Sequence, residues 1–320
     1  MTPAIRCRQL VKVYPGKPPV QAVCGLDLEV ALGECFGLLG PNGAGKTTAI
    51  EIIEGLLPPT SGSVEVLGMT WDRHEAELRQ RIGISLQETK LSERLTVRET
   101  LELFRSFYRQ GLEPEAAMAW VSLTDKADAR VGKLSGGQKQ RLAVACALVG
   151  DPHLIFLDEP TTGLDPQARR QIWDIIRRFR NLGRTVLLTT HYMDEAERLC
   201  DRVAIVDHGR VIALGSPREL ILGLGAEHIV EFSLDNGVSA AGPCDPHALA
   251  RLPSVSQVRC QQGQICLSVA EPHLAIPALL NWLHSQGHSL ASLSTRHASL
   301  EDVFVALTGR HLSDSGPNHA

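Results

Sequence analysis

Gly40-Pro41-Asn42-Gly43-Ala44-Gly45-Lys46-Thr47-Thr48 constrains the fold more than any other stretch of the chain. An apolar run, Cys35 to Leu39, precedes it, and a helical pattern from Thr47 to Gly55 follows. Strand, glycine loop and helix in that order form a phosphate-binding loop. A phosphate chain carries several negative charges, and backbone N–H groups at a helix N-terminus can surround it. Gly43 and Gly45 leave room for that approach and tolerate positive φ. Lys46 adds a point charge near the terminal phosphates, and Thr47 offers a hydroxyl to Mg2+. A glycine turn that merely opens a helix would not need this full spacing.

Composition narrows the remaining classes. The chain has 320 residues, room for two domains, and 43% of them are hydrophobic, enough to fill a sizeable core. A net charge of -4 gives no reason to expect nucleic acid as a partner. No apolar run approaches the ~20 residues of a membrane helix; the longest, Leu142 to Val149, sits in a helical pattern. The start, Met1 to Arg8, does not read as a secretory signal. Any membrane role therefore passes through a partner. The 8 cysteines are scattered, without a Cys-x-x-Cys pair, which fits a reducing cytoplasm. Only Cys260 and Cys266, on neighbouring expected strands, leave a disulfide or metal pair open.

Along the chain, residues 5–32 alternate apolar and polar around a Pro/Gly turn and read as antiparallel strands. Tyr14 at a strand end could stack on a nucleobase or simply pack. Gly62 to Gly68 reads as a short strand pair, followed by a helix over 73–80 and a strand, Ile82 to Leu86, that ends at Gln87. Thr96-Val97-Arg98-Glu99 is a capping box opening a mostly helical stretch to about residue 133. Ser135-Gly136-Gly137-Gln138 opens another helix: a second anion-binding N-terminus, or a plain cap on Ser135. Leu154 to Leu157 is a strand buried on both faces that runs into Asp158 and Glu159. Carboxylates at a strand's C-terminal end stand where α/β sheets bind ligands. Asp158 suits Mg2+, and Glu159 suits polarising a water for attack on phosphorus. Thr161 to Pro166 is a turn before a helix. Strand Thr185 to Thr190 ends at His191, which we read as a γ-phosphate contact rather than a cap.

The composition changes near residue 226, beyond which eight of the 12 histidines lie. The pattern there is strand (228–234), helix (246–252), strand (254–260), strand (264–269), helix (277–286), strand (289–296) and a closing helix from Ser299. That order suggests a small ferredoxin-like α+β domain over 227–312, with a disordered tail at 313–320. The histidines lack ligand spacing.

With these motifs in order, residues 3–225 resemble an ATP-binding subunit of the ABC transporter superfamily. The resemblance rests on the Gly40–Thr48 loop, Gln87, Leu134-Ser135-Gly136-Gly137-Gln138, Leu154 to Glu159, Asp165 and His191. It implies an α/β fold: a P-loop NTPase nucleotide-binding domain over 1–226, with a RecA-like core, an antiparallel β subdomain and a helical subdomain at about 88–150. The small α+β domain would follow. It further implies ATP and Mg2+ as cofactors. Tyr14 would stack on adenine, and Gly40, Pro41, Asn42, Gly43, Ala44, Gly45, Lys46, Thr47 and Thr48 would hold the phosphates. Thr47, Gln87 and Asp158 would bind or support Mg2+. Glu159 would be the general base, with Gln87 and His191 beside it. Ser135, Gly136, Gly137 and Gln138 would meet ATP held by a second copy, and Asp165 would bridge the copies. Both half-sites on one chain favour a homodimer. A membrane permease would be met near residues 87–94, at the cytoplasmic face of the inner or plasma membrane. Met193 to Arg202 and the ending Ser299-Leu300-Glu301-Asp302-Val303-Phe304 look like the multidrug, polysaccharide and lipid exporter group, including the daunorubicin-resistance type. A soluble relative acting on ribosomes or DNA is the alternative; the second cassette or long insertion it would carry is absent. The last domain could be a sensor, a spacer or a dimerisation module.

Overall fold

The computed structural model describes residues 3–87, 89–235, 245–261 and 264–309. The expected tail, 313–320, lies outside them. The described residues form two compact units, one ending at Ser216 and one beginning at Pro217. The second begins at Pro217 rather than after residue 226, because helix α8 (Pro217–Leu222) packs with α11 (Leu300–Thr308).

In the first unit, β1 (Ile5–Tyr14) pairs antiparallel with β2 (Val20–Val30) on one side and β4 (Ser61–Val66) on the other. The strand pair expected at Gly62 to Gly68 is thus a single strand on β1; its return leg is only one bridge, Val66 to Met69. A larger sheet has the order β5-β6-β7-β3-β8-β9: β5 (Ile82–Ser85), β6 (Leu154–Asp158), β7 (Thr185–Thr190), β3 (Cys35–Leu39), β8 (Arg202–Asp207) and β9 (Arg210–Gly215). All its pairings are parallel except β8 with β9. Every residue of β3, β6 and β7 is buried, as strands covered on both faces must be. Phe36, Leu38 and Phe156 join Ile50 and Ile53 of α1 (Lys46–Ile53) in the main core.

Helices α2 (Trp71–Arg81), α3 (Val97–Arg105), α4 (Pro114–Trp120) and α5 (Gly136–Leu148) precede β6; α3, α4 and α5 pack on one another. Thr96 and Glu99 form the expected capping box on α3. α6 (Pro166–Asn181) and α7 (Met193–Leu199) flank β7. The order of strands decides the site. Because β5, β6, β7 and β3 are neighbours, the segments leaving their C-terminal ends emerge side by side.

The second unit holds a four-stranded antiparallel sheet in the order β11-β12-β10-β13: β10 (His228–Leu234), β11 (Val255–Gln261), β12 (Gln264–Val269) and β13 (Leu290–His297). The short α9 (Pro246–Leu249) precedes β11, and α10 (Pro272–Ser285) lies between β12 and β13. α10 starts at Pro272, not Pro277. Pro277 cannot donate its backbone bond inside a helix, yet Ala275, Leu279 and Leu283 recur four apart and bury against Val230 and Phe232. That packing outweighs the local penalty. Cys260 and Cys266 are free thiols. Cys260 lies opposite Ile265 and Cys266 opposite Arg259, so the two point to opposite faces and cannot pair. Among the described residues no metal-binding cluster forms.

Candidate nucleotide site

The glycine loop leaves buried β3 and turns directly into α1. Gly45 has φ 96°, and a Cβ there would stand 2.2 Å from the Ala22 carbonyl oxygen, so only glycine lets the loop lie against β2. Thr47 is exposed and Thr48 half-buried at the opening turn of α1. The Lys46 ammonium is buried beneath the loop and donates to the carbonyls of Gly40 (2.8 Å) and Pro41 (3.0 Å). Burial lowers its pKa, while Glu159 and Asp158 act in the opposite direction.

Strands β6 and β7 bring up the acids. Thr189, opposite Asp158 in register, is the joint between them. Its hydroxyl donates to Asp158 Oδ1 and accepts the Glu159 N–H at 2.9 Å. Burial pushes the Asp158 carboxyl upward, against that bond. Glu159 leaves the strand at φ 46°, an unusual backbone for a non-glycine residue, which turns its carboxylate toward its neighbours. Thr162 Oγ1 donates to Glu159 Oε2 at 3.0 Å and Gln87 Nε2 at 3.4 Å. His191 Nδ1 stands 3.2 Å from the same oxygen, and Lys46 Nζ 4.0 Å from the other. His191 above all holds the Glu159 carboxyl below its ordinary range, against the effect of burial. Gln87, Glu159, His191 and Lys46 therefore come together, from four separate strand ends.

Other predicted residues stand apart. Tyr14 is half-buried at the end of β1, with the Lys12 ammonium 5.4 Å from its ring centroid. Ser135 caps α5 reciprocally with Gln138: Gln138 N–H donates to Ser135 Oγ (3.3 Å), and Ser135 N–H to Gln138 Oε1 (2.9 Å). Gly136 opens on free space, whereas a Cβ on Gly137 would stand 2.8 Å from that of Ala168 on α6. Asp165 accepts from the N–H groups of Gln167 and Ala168, both at 2.9 Å, and caps α6. Among the described residues no hydrogen bond or ion pair joins Ser135–Gln138 or Asp165 to the phosphate loop.

Comparison with known proteins decides the family. The ABC transporter family model matches residues 23–162. The Nod factor export ATP-binding protein I of Burkholderia orbicola is 41% identical, over 96% of this chain and 97% of its own. Its Rhizobium meliloti counterpart is 41% identical over 98% and 90%. The chain belongs to the ABC transporter ATP-binding family. It is an ATP-binding subunit of an ABC transporter, and an ATPase. Among solved structures, the dimeric post-hydrolysis state of the ATP-binding cassette MJ0796, bound to ADP and Pi, is 28% identical with a TM-score of 0.61. It covers 66% of this chain and 98% of its own.

Two residues of this ABC site went unread in the sequence. Thr189 organises both acids, and the polar pair Thr189-Thr190 after the apolar run Val186 to Leu188 was the available signal. Glu195 is fully buried on α7 and accepts from Thr161 Oγ1 (2.9 Å) and Trp173 Nε1 (2.8 Å), tying the turn after Glu159 to α6 and α7. In sequence it is one acid among several on an ordinary amphipathic helix.

Proposed function

We propose that this chain powers export through a separate membrane permease, as a homodimer that holds ATP between its two copies. Its relatives' names speak of Nod factor export; a drug, lipid or polysaccharide substrate is the reading carried here. No described helix is long and apolar enough to cross a membrane, in keeping with a peripheral subunit at the cytoplasmic face. The permease contact lies near residues 87–94 and the helices that follow.

One observation carries the catalytic assignment. Glu159 is ionised, buried and held by Gln87, Thr162 and His191 at the edge where Lys46 stands. It acts as general base on the attacking water, and His191 positions the γ-phosphate. The loop Gly40 to Thr48 binds the phosphates and Tyr14 stacks on the base. Thr47, Gln87 and Asp158 present the hard oxygen donors that Mg2+ prefers, and would hold it where it offsets the charge of the phosphate oxygens. Ser135–Gln138, with no bond to their own loop, are free to meet ATP on the second copy, and Asp165 lies at the same junction. ATP can then bridge two copies while ADP cannot, so hydrolysis reopens the pair. The βαββαβ order of the accessory unit supports the ferredoxin-like reading.

Glu159→Gln tests the core of this. Turnover should fall about 100-fold or more, the usual worth of a positioned base, while light scattering should find an ATP-dependent dimer. Hydrolysis near the wild-type rate would remove Glu159 from the role.

A further inference from the structure

Glu54 caps the C-terminal end of α1, the helix whose first residue is Lys46. It is 2% exposed, and neither carboxylate oxygen has a hydrogen-bond partner. A buried acid left without a donor is costly, and native chains seldom tolerate one without a use for it. Glu54 lines a cavity of about 320 Å³ walled by Trp71, Ile84, Phe104, Phe107 and Tyr108.

Arg79, Gln80 and Trp71, around that cavity, bond to other groups. Arg79, which also lines it, donates twice to Glu75, at 3.0 and 2.7 Å. The Gln80 side chain donates to the Phe107 carbonyl (3.1 Å) and accepts the Arg109 N–H (2.7 Å). The Trp71 indole N–H donates to the Ile53 carbonyl at 2.9 Å. None of these groups donates to Glu54. Part of the rim is apolar and open: Phe107 is 62% exposed, and Leu103, on the helix that carries Phe104, is 46% exposed. A cavity walled largely by apolar side chains, with a buried carboxyl that no donor reaches, fits an apolar segment bearing one basic side chain.

We propose that Glu54 receives a basic side chain carried on an apolar segment of the membrane permease, and that this pairing selects which permease the chain serves. The inference rests on the permease reading above and adds to it a residue and the chemistry of its partner. The eight residues of α1 span about 12 Å, so the pair would sit at one end of the helix that presents Lys46 to the phosphates at the other. A partner drawing on Glu54 pulls directly on the phosphate loop.

The test uses the full-length tagged chain in its own host. Membranes are solubilised in detergent, the chain is captured, and the multispanning protein bound to it is quantified by mass spectrometry. Wild type should retain such a protein. Glu54→Gln and Glu54→Leu should retain about tenfold less or lower still, as expected when one member of a buried charge pair is removed. Both variants should melt at or above the wild-type temperature, because they delete a buried carboxyl that has no hydrogen-bond partner; lost recovery then reports docking and not unfolding. A photo-crosslinker in place of Phe107 should capture a permease peptide containing Lys or Arg. Reversing that residue to Glu should restore recovery with Glu54→Lys. Equal recovery by wild type, Glu54→Gln and Glu54→Leu would overturn the docking role and leave the permease reading intact, as would crosslinks to a second copy of the chain. Recovery of no membrane protein by wild type would overturn the permease reading, and the docking site with it.

Discussion

Asp158 and Glu159 are adjacent in sequence, yet the fold drives their acidities apart. Asp158 ends a strand buried on both faces, and burial raises its pKa. Glu159 lies one residue on, where the chain turns at positive φ and delivers it to His191 and Thr162, and its pKa falls. The residue types were legible: carboxylates after an apolar run announce a ligand edge. The split was not, because it depends on Thr189, Thr162 and His191, which reach the pair only through the sheet. Glu54 is the stronger case. In sequence it reads as the polar end of an amphipathic helix, and only the fold buries it. Burial, with Asp158 and Glu51 adding repulsion, pushes its carboxyl up to about 8 from the ordinary 4.5. Between those values the unfolded chain ionises at Glu54 and the folded chain does not, so wild-type stability falls as pH rises. Glu54→Gln has no such group. Its melting temperature should exceed that of wild type by a margin that widens from pH 5 to pH 8 and then stays level, measured by calorimetry at matched ionic strength. A margin independent of pH would mean that Glu54 is ionised throughout.

Among elements, helix and strand types were readable wherever an apolar period was bounded by a cap or a glycine. Two features were misread because neighbours decided them. The segment after Gly62 makes one strand, since β1 offers an open edge for it. α10 runs through Pro277, since the stripe Ala275, Leu279 and Leu283 binds it to the sheet. Gly137 poses the same question for function. Its place in the signature suggests phosphate contact, but a Cβ there would also press on Ala168, 2.8 Å away, where α5 meets α6. Gly137→Ala should therefore destabilise the chain by about 1–3 kcal/mol, the usual cost of overpacking. Adding Ala168→Gly removes the opposing methyl and should restore the melting temperature. ATPase activity separates the two roles. Activity that returns with stability would make Gly137 a packing residue alone, whereas activity that stays low in the stable double variant would place it against ATP.

For the whole molecule, motif order identified the first unit, and the change in composition announced the second. Their junction was not legible, because Ser216-Pro217 reads as the start of one more cassette helix. α8 instead packs with α11, the closing helix of the second unit, although 77 residues of chain lie between Leu222 and Leu300. The second unit has a core of its own, with Val230, Phe232, Leu267, Val269 and Leu279 nearly or fully buried. Near α11, Arg296 donates to both oxygens of Asp302 (2.6 and 2.9 Å) and to Glu231 (2.8 Å). Asp302 also accepts the Ser299 N–H in the capping box that opens α11. A unit with its own core and its own charge cluster should fold alone, provided that it keeps the helix against which α11 packs. A fragment beginning at Pro217 should unfold cooperatively in urea. One beginning at Glu227 lacks α8, uncovers part of α11, and should have a lower midpoint or no cooperative transition. Equal midpoints would show that α8 contributes nothing to this unit and would return the boundary to residue 226. If the longer fragment folds, the matching cassette, cut after Ser216, can be assayed for ATP turnover beside the full chain. A changed rate would make the second unit a regulator of hydrolysis, and an unchanged one would leave it the part of a spacer or dimerisation module.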